Sequence, residues 1–312
     1  MPPFSLMLHH FYDHKNHPKG QGAISGDDFE CLLDYMTNNY SLLNAKDWMN
    51  LALDGSLDKD DVCLSFDDGL RCQYDIALPI LNKRGLTAFW FIYSSVFEGS
   101  IGKIELYRYY RTVKFKDIFE FYEAFEVRLK KFNFYKEVEI KLQKFNASEY
   151  LIEHSIYTDQ DRRFRFIRDI ALGSQRYEQV MDSMISDSDI NADLLFKHLW
   201  MDNDCIRDLH TIEHIIGLHS YSHPTRLSDL SINEQYEEYS QNYTHISRLL
   251  GVNPTSVSHP CNSYNKDTLE VLNNLGVNLG FRSNMSQPKP LSLLEFPRED
   301  HSIIMKKAGL RS

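Results

Sequence analysis

Residues 87–93 read Thr-Ala-Phe-Trp-Phe-Ile-Tyr, a run with almost no polar position. A strand with one wet face alternates apolar and polar side chains, whereas a strand covered on both faces does not. The run therefore predicts a parallel sheet wrapped by helices. Just before it, Ile76, Ala77, Ile80 and Leu81 fall on one helical face, and Gly85 stands where a helix can end in a left-handed residue. Upstream again, residues 62–66 form another short apolar run. Strand, helix, strand at this spacing predicts βαβ units. Residues 4–8 predict a further strand, and 27–38 a helix burying Phe29, Leu32, Leu33 and Met36.

From about residue 102 to 203 the texture changes to charged helical segments rich in aromatics, among them Tyr107, Tyr109, Tyr110, Phe115, Phe119, Phe121, Tyr122 and Phe125. No proline interrupts this stretch, which reads as a large helical insertion packed on an α/β core. From about residue 206 the βαβ texture returns. Strands are expected at 215–218, 255–259 and 277–281, with a helix at 267–275 closed by Gly276.

Two strand ends carry chemistry. The apolar run at 62–66 stops in Asp67-Asp68-Gly69, placing adjacent carboxylates at the rim where α/β active sites form. Asp-Asp-Gly is also ordinary turn punctuation. The second is Gly217-Leu218-His219-Ser220-Tyr221-Ser222-His223-Pro224. Histidines at i and i+4 in a curling turn can converge on one ion, and with one carboxylate they make a facial site with open positions. Surface histidines with no ligand role are the plainer reading of either ring alone.

Together, Ser65-Phe66-Asp67-Asp68-Gly69 and His219–His223 resemble the first two motifs of the polysaccharide deacetylases (NodB homology, carbohydrate esterase family 4). Leu78-Pro79-Ile80-Leu81, Lys83-Arg84-Gly85, Thr87-Ala88-Phe89 and the N-terminal Leu8-His9-His10 agree with it. The resemblance spans 1–95 and 204–300 and implies a distorted (β/α) barrel bearing a large helical insertion, with a divalent metal, most often Zn2+, at the strand C-termini. It implies that Asp68, His219 and His223 hold the metal and that Asp67 is the general base. Where the family's third motif stands, this chain has Ser258-His259-Pro260-Cys261-Asn262-Ser263-Tyr264, and the backbone amide of Cys261 is the oxyanion candidate. No arginine stands in that motif. Arg298, in Phe296-Pro297-Arg298-Glu299-Asp300, resembles the Leu-Pro-Arg-Ile-Asp ending of some members and is the candidate to orient Asp67. The family's closing general-acid histidine has no clean counterpart, leaving His259, His301 and His10 as candidates, each of which also reads as a structural histidine.

The implied activity is hydrolysis of an N-acyl group, acetyl above all, from an amino sugar in surface glycan biosynthesis. The alternative is a non-catalytic sugar-binding descendant of the fold; a two-histidine, one-carboxylate iron oxygenase is the third reading. With 34 Lys and Arg against 44 Asp and Glu, the net charge of −10 speaks against nucleic acid or an anionic membrane as partner. The Arg162-Arg163-Phe164-Arg165 and Lys130-Lys131 clusters read as solvated helix faces. No apolar stretch approaches the roughly 18–20 residues that span a bilayer. Five cysteines without a CxxC pair, and an N-terminus lacking a basic leader segment, lead us to expect a cytoplasmic protein. An insertion entering after residues 87–93 would emerge on a barrel's active face and narrow it. The expected substrate is therefore a nucleotide-linked or lipid-linked amino-sugar intermediate rather than a long polymer.

Overall fold

Among the described residues of the computed structural model (2–152, 157–190, 198–287 and 289–310), eight strands form one sheet. They are β1 (Phe4–Leu8), β2 (Ser41–Leu42), β3 (Asp61–Asp67), β4 (Phe89–Ile92), β5 (Ile215–Leu218), β6 (Ser256–Ser258), β7 (Leu279–Phe281) and β8 (Arg298–Asp300). Their order is β7-β6-β5-β4-β3-β1-β8, with β2 paired to the start of β3, and every pairing is parallel. The segment leading into β8 bonds both to β7, at the far end of this path, and to β1. Phe296 N–H donates to the Gly280 carbonyl at 2.8 Å, and Ser5 N–H donates to the Pro297 carbonyl at 3.1 Å. The sheet is thereby nearly closed into a barrel, the NodB-type (β/α) arrangement.

Side chains alternate across a strand, so one register decides what faces inward. Phe66 and Trp90, on neighbouring strands, stack at 4.2 Å in the outer layer with Val62, Leu64 and Ile92, under the helices. The opposite face of the same strands carries Cys63, Phe89 and Phe91, which join Leu279, Phe281, Phe296 and Trp48 in the interior cluster. Asp67 belongs to the inward set by parity with Cys63 and Ser65. Gly217 is glycine because a Cβ there would sit 2.5 Å from Ser256 Oγ and 2.6 Å from the Phe91 ring. The long helix Ile232–Leu250 starts on a Ser231/Glu234 capping box and ends at left-handed Gly251.

The chain divides into two compact units, Met1–Gly102 with Leu194–Ser312, and Lys103–Asp193. The insertion expected at about 102–203 corresponds to the second, although residues 153–156 and 191–197 lie outside those described. Its helices include Lys103–Lys114, Ile118–Leu129, Asp159–Phe166 and Gly173–Ser186. Several of the aromatics that mark this stretch form its own core, with Phe121, Phe125 and Phe164 in mutual ring contact, whereas Phe119 is exposed. Arg163 of the basic cluster is paired bidentately with Glu126 at 2.8 and 3.0 Å.

Candidate metal and catalytic centre

β3 delivers both carboxylates, but to different places. Asp67 ends the strand pointing into the barrel, whereas Asp68 (φ 78°) and Gly69 (φ 66°) are both left-handed and turn the chain outward at the rim. The turn is anchored where Met201 N–H donates to the Gly69 carbonyl at 2.9 Å. Buried Gln73 ties neighbouring strand ends together, its Nε2 donating to the carbonyls of Asp67 (2.6 Å) and His9 (2.8 Å).

β5 delivers the histidines. His219 follows the strand directly, and left-handed Ser220 (φ 63°) and His223 (φ 56°) curl the loop back on itself. His219 Nε2 and His223 Nε2 each lie 3.5 Å from Asp68 Oδ1, and the donor atoms of the three residues all fall within 4.8 Å of one another. Two ligands about 2.1 Å from one ion at a tetrahedral angle stand roughly 3.4 Å apart. The observed spacing is thus that of ligands around an ion and longer than a direct hydrogen bond. His219 Nδ1 donates to the Ser258 carbonyl at 2.8 Å, which leaves Nε2 with its lone pair toward the cluster. Three donors of this type fit a divalent ion such as Zn2+.

The loop is held by one face of the helix Ile232–Leu250. Asn242 Oδ1 accepts the His219 N–H at 3.0 Å. Glu238 accepts the N–H groups of Tyr221 (3.0 Å) and Ser222 (2.8 Å) and the Ser222 hydroxyl (2.6 Å).

Asp67 is 2% exposed and clamped by Arg298, whose Nη1 and Nη2 donate to its two oxygens at 2.7 Å each. Arg298 Nη2 also donates to Ser258 Oγ at 2.7 Å and Nε to the Arg282 carbonyl at 3.0 Å, so the guanidinium is fixed on several sides. Burial pushes the Asp67 carboxyl up, but the charges of Arg298, His219 and His9 outweigh it and hold the group below the usual carboxylate range. Burial likewise opposes ionisation of Asp68, and the adjacent imidazoles of His219, His223 and His9 reverse that, driving it well below the same range. His219 is pulled down by burial and raised on balance by Asp67 and Asp68.

The three candidate proton donors part company. His259 is fully buried, bonded through Nε2 to the Leu294 carbonyl at 2.9 Å and stacked 4.1 Å from the Tyr264 ring, and burial pushes its pKa down to about 4. His301 is buried with Nε2 on the Gly22 carbonyl at 3.2 Å. Neither ring is brought against the carboxylate pair. His10 lies beside His9, ring centroids 6.2 Å apart, its carbonyl accepting Ile24 N–H. The histidine that reaches the site is His9, partly exposed, with Nε2 3.7 Å from Asp67 Oδ2. His9, which directly follows β1, stands in the Leu8-His9-His10 stretch of the sequence but was not among the proton-donor candidates drawn from it. Cys261 sits exposed in the turn Pro260–Asn262 after β6, left-handed at φ 51° like Asn262 at φ 56°.

Comparison with known proteins agrees with this fold. Residues 173–280 match the polysaccharide deacetylase family model, a stretch that contains His219 and His223 but not Asp67 and Asp68. No curated protein sequence matches the chain. Similar solved structures include the Streptococcus pyogenes deacetylase PplD in complex with acetate (14% identity, TM-score 0.53, covering 96% of this chain and 91% of that one). IcaB from Ammonifex degensii is similar at 14% identity and TM-score 0.55, over 95% and 90%. A de-N-acetylase from Aggregatibacter actinomycetemcomitans is similar at 13% identity and TM-score 0.56, over 98% of both chains. At these identities the structures speak for the fold.

Proposed function

Proceeding from a chain that resembles the polysaccharide deacetylases and shares their NodB-type barrel, we propose that the protein is a metal-dependent hydrolase removing an N-acyl group, acetyl above all, from an amino sugar. The observation that carries this reading is the division of labour between adjacent carboxylates: Asp68 faces two imidazoles at ligand spacing, and Asp67 is gripped through both oxygens by Arg298. A sugar-binding module has little use for both.

A divalent ion held by Asp68, His219 and His223 would polarise the acyl carbonyl and acidify a water beside it. The rest falls to the chain's own groups. Asp67, kept ionised and immobile by Arg298, takes a proton from the attacking water through Oδ2, the oxygen nearest His9 and His219. The Cys261 amide, in the turn after β6, is the proposed second contact for the oxyanion. His9 protonates the departing amine, replacing His259, His301 and His10 in that role. The acetate bound to PplD supports acetyl as the group removed.

The finer expectations stand as part of the same proposal: a carrier-linked amino sugar of surface glycan assembly as substrate, and a reducing compartment, which an odd number of cysteines with no CxxC pair supports. The test is to load purified protein with Zn2+ or Co2+ and measure acetate release from N-acetylglucosamine oligomers, UDP-linked and polyprenyl-linked N-acetyl sugars. Stoichiometric metal with no acetate from any of them would overturn the hydrolase reading.

A further inference from the structure

Arg282 follows β7 directly and so emerges at the same barrel rim as Asp67 and Ser258. Its backbone is part of the centre's scaffold. The carbonyl accepts Arg298 Nε at 3.0 Å, and the next amide, Ser283 N–H, donates to Asn262 Oδ1 at 2.9 Å in the turn that carries Cys261. Its side chain, by contrast, serves nothing in the proposed chemistry. The residue is 4% exposed, yet Nε and Nη2 are enclosed with no hydrogen-bond partner. Nη1 is not enclosed in that way, which places the guanidinium just beneath the surface. No carboxylate among the described residues pairs with it. Glu295, which feels its charge, is already engaged by the Tyr264 hydroxyl at 3.0 Å and the Ser292 hydroxyl at 2.8 Å.

A guanidinium stays charged at any physiological pH, and leaving its donors unmet in a covered site is unfavourable. A planar guanidinium with Nη1 open beside an active rim, and unmet donors at Nη2 and Nε behind it, has the chemistry that captures a phosphate or carboxylate. We infer that Arg282 is an anion-recognition subsite, binding an oxyanion carried by the substrate a short reach from its acyl group. The inference rests on the hydrolase reading and sharpens it: the substrate is an anionic amino sugar, either phosphate-linked or bearing a carboxylate.

Burial disfavours the charge on Arg282, so a site kept for function should gain stability when the charge is removed. With metal-loaded enzyme, kcat/KM is measured for UDP-N-acetylglucosamine, N-acetylmuramic acid and neutral chitobiose in wild type, Arg282→Met and Arg282→Lys. Arg282→Met is expected to lower the preference for an anionic sugar over chitobiose tenfold or more, through KM, with Tm unchanged or raised. Loss confined to the UDP sugar identifies a phosphate, and loss confined to the muramic acid a carboxylate. Arg282→Lys should recover part of the preference. An unchanged preference overturns the inference. Should wild type release no acetate from any of the three, the hydrolase reading fails instead. Calorimetry of inorganic phosphate on metal-free protein then decides the subsite: a Kd at least tenfold weaker in Arg282→Met upholds it, and equal binding, or none in wild type, overturns it.

Discussion

Arg298 grips Asp67 through two parallel 2.7 Å hydrogen bonds in a setting where the arginine is 1% exposed. Removing one partner of such a pair leaves the other charge buried, a loss of about 3–5 kcal/mol. Arg298→Met is therefore expected to unfold at markedly lower denaturant and to lose most turnover. Arg298→Lys, unable to reproduce the fork, should fall between the two. Chemical denaturation with parallel acetate release checks both. Wild-type stability in Arg298→Met would show that the clamp carries no structural load.

The two carboxylates separate by substitution. Asp67→Asn is expected to keep its metal and lose turnover by a factor of about 10²–10⁴, as removal of a general base does. Asp68→Ala, His219→Ala and His223→Ala should each lose metal and activity together, because two remaining ligands hold an ion poorly. Metal analysis beside kinetics reads the distinction. A metal-free Asp67→Asn with a fully loaded Asp68→Ala would reverse the roles.

His9→Gln is expected to reduce kcat by about 10²-fold with metal content intact, as loss of one general acid does. His10→Gln, one residue on, should have a far smaller effect. An equal loss in both variants would point to disturbance of the strand end rather than to proton donation by His9.

Much of this centre was legible because short strands write their ends plainly. Asp67-Asp68-Gly69 and His219–His223 each follow an apolar run, and a run of that kind can only stop at a rim. Arg298 was reachable through resemblance alone, since β8 reads Arg-Glu-Asp and carries no apolar signal at all. Its inward position comes from pairing with β1, a contact nearly three hundred residues away in sequence. Gln73, Glu238 and Asn242 were invisible for the same reason. Each is an ordinary polar residue until the fold brings a strand end or a loop amide against it. His259 shows the converse, a residue inside a motif whose surroundings keep it buried and bonded elsewhere.

Glu238 gives the loop between His219 and His223 its shape, accepting three hydrogen bonds from Tyr221 and Ser222. Residues outside the ligand set that orient it typically contribute 10–100-fold in metal affinity. Glu238→Ala is expected to weaken Zn2+ binding by about that factor and to leave overall folding intact, since the residue is only partly covered. Glu238→Gln, which keeps an acceptor, should lose less. Competition against a chromogenic chelator measures the affinities, and wild-type affinity in Glu238→Ala would remove the helix from any role in holding the loop.

Acid sensitivity offers a test away from the metal. His214 is buried against Trp90, and its Nδ1 accepts the Ala88 N–H at 2.9 Å, so the ring must be neutral in the folded state. Burial lowers its pKa from 6.5 to about 4. Between those values the unfolded chain binds the proton and the folded chain does not, so stability is full above pH 6.5 and declines as pH falls toward 4. At pH 5 the loss from this one ring is about 2 kcal/mol. Carboxylates in the unfolded chain titrate mainly below that pH and leave the window to histidines. His214→Asn places an uncharged oxygen where Nδ1 stands, sacrificing ring packing. It should be less stable than wild type at pH 7 and nearly match it at pH 5. Urea denaturation at the two pH values reads the difference directly, and parallel pH slopes for the two proteins would mean that His214 is free to protonate in the fold.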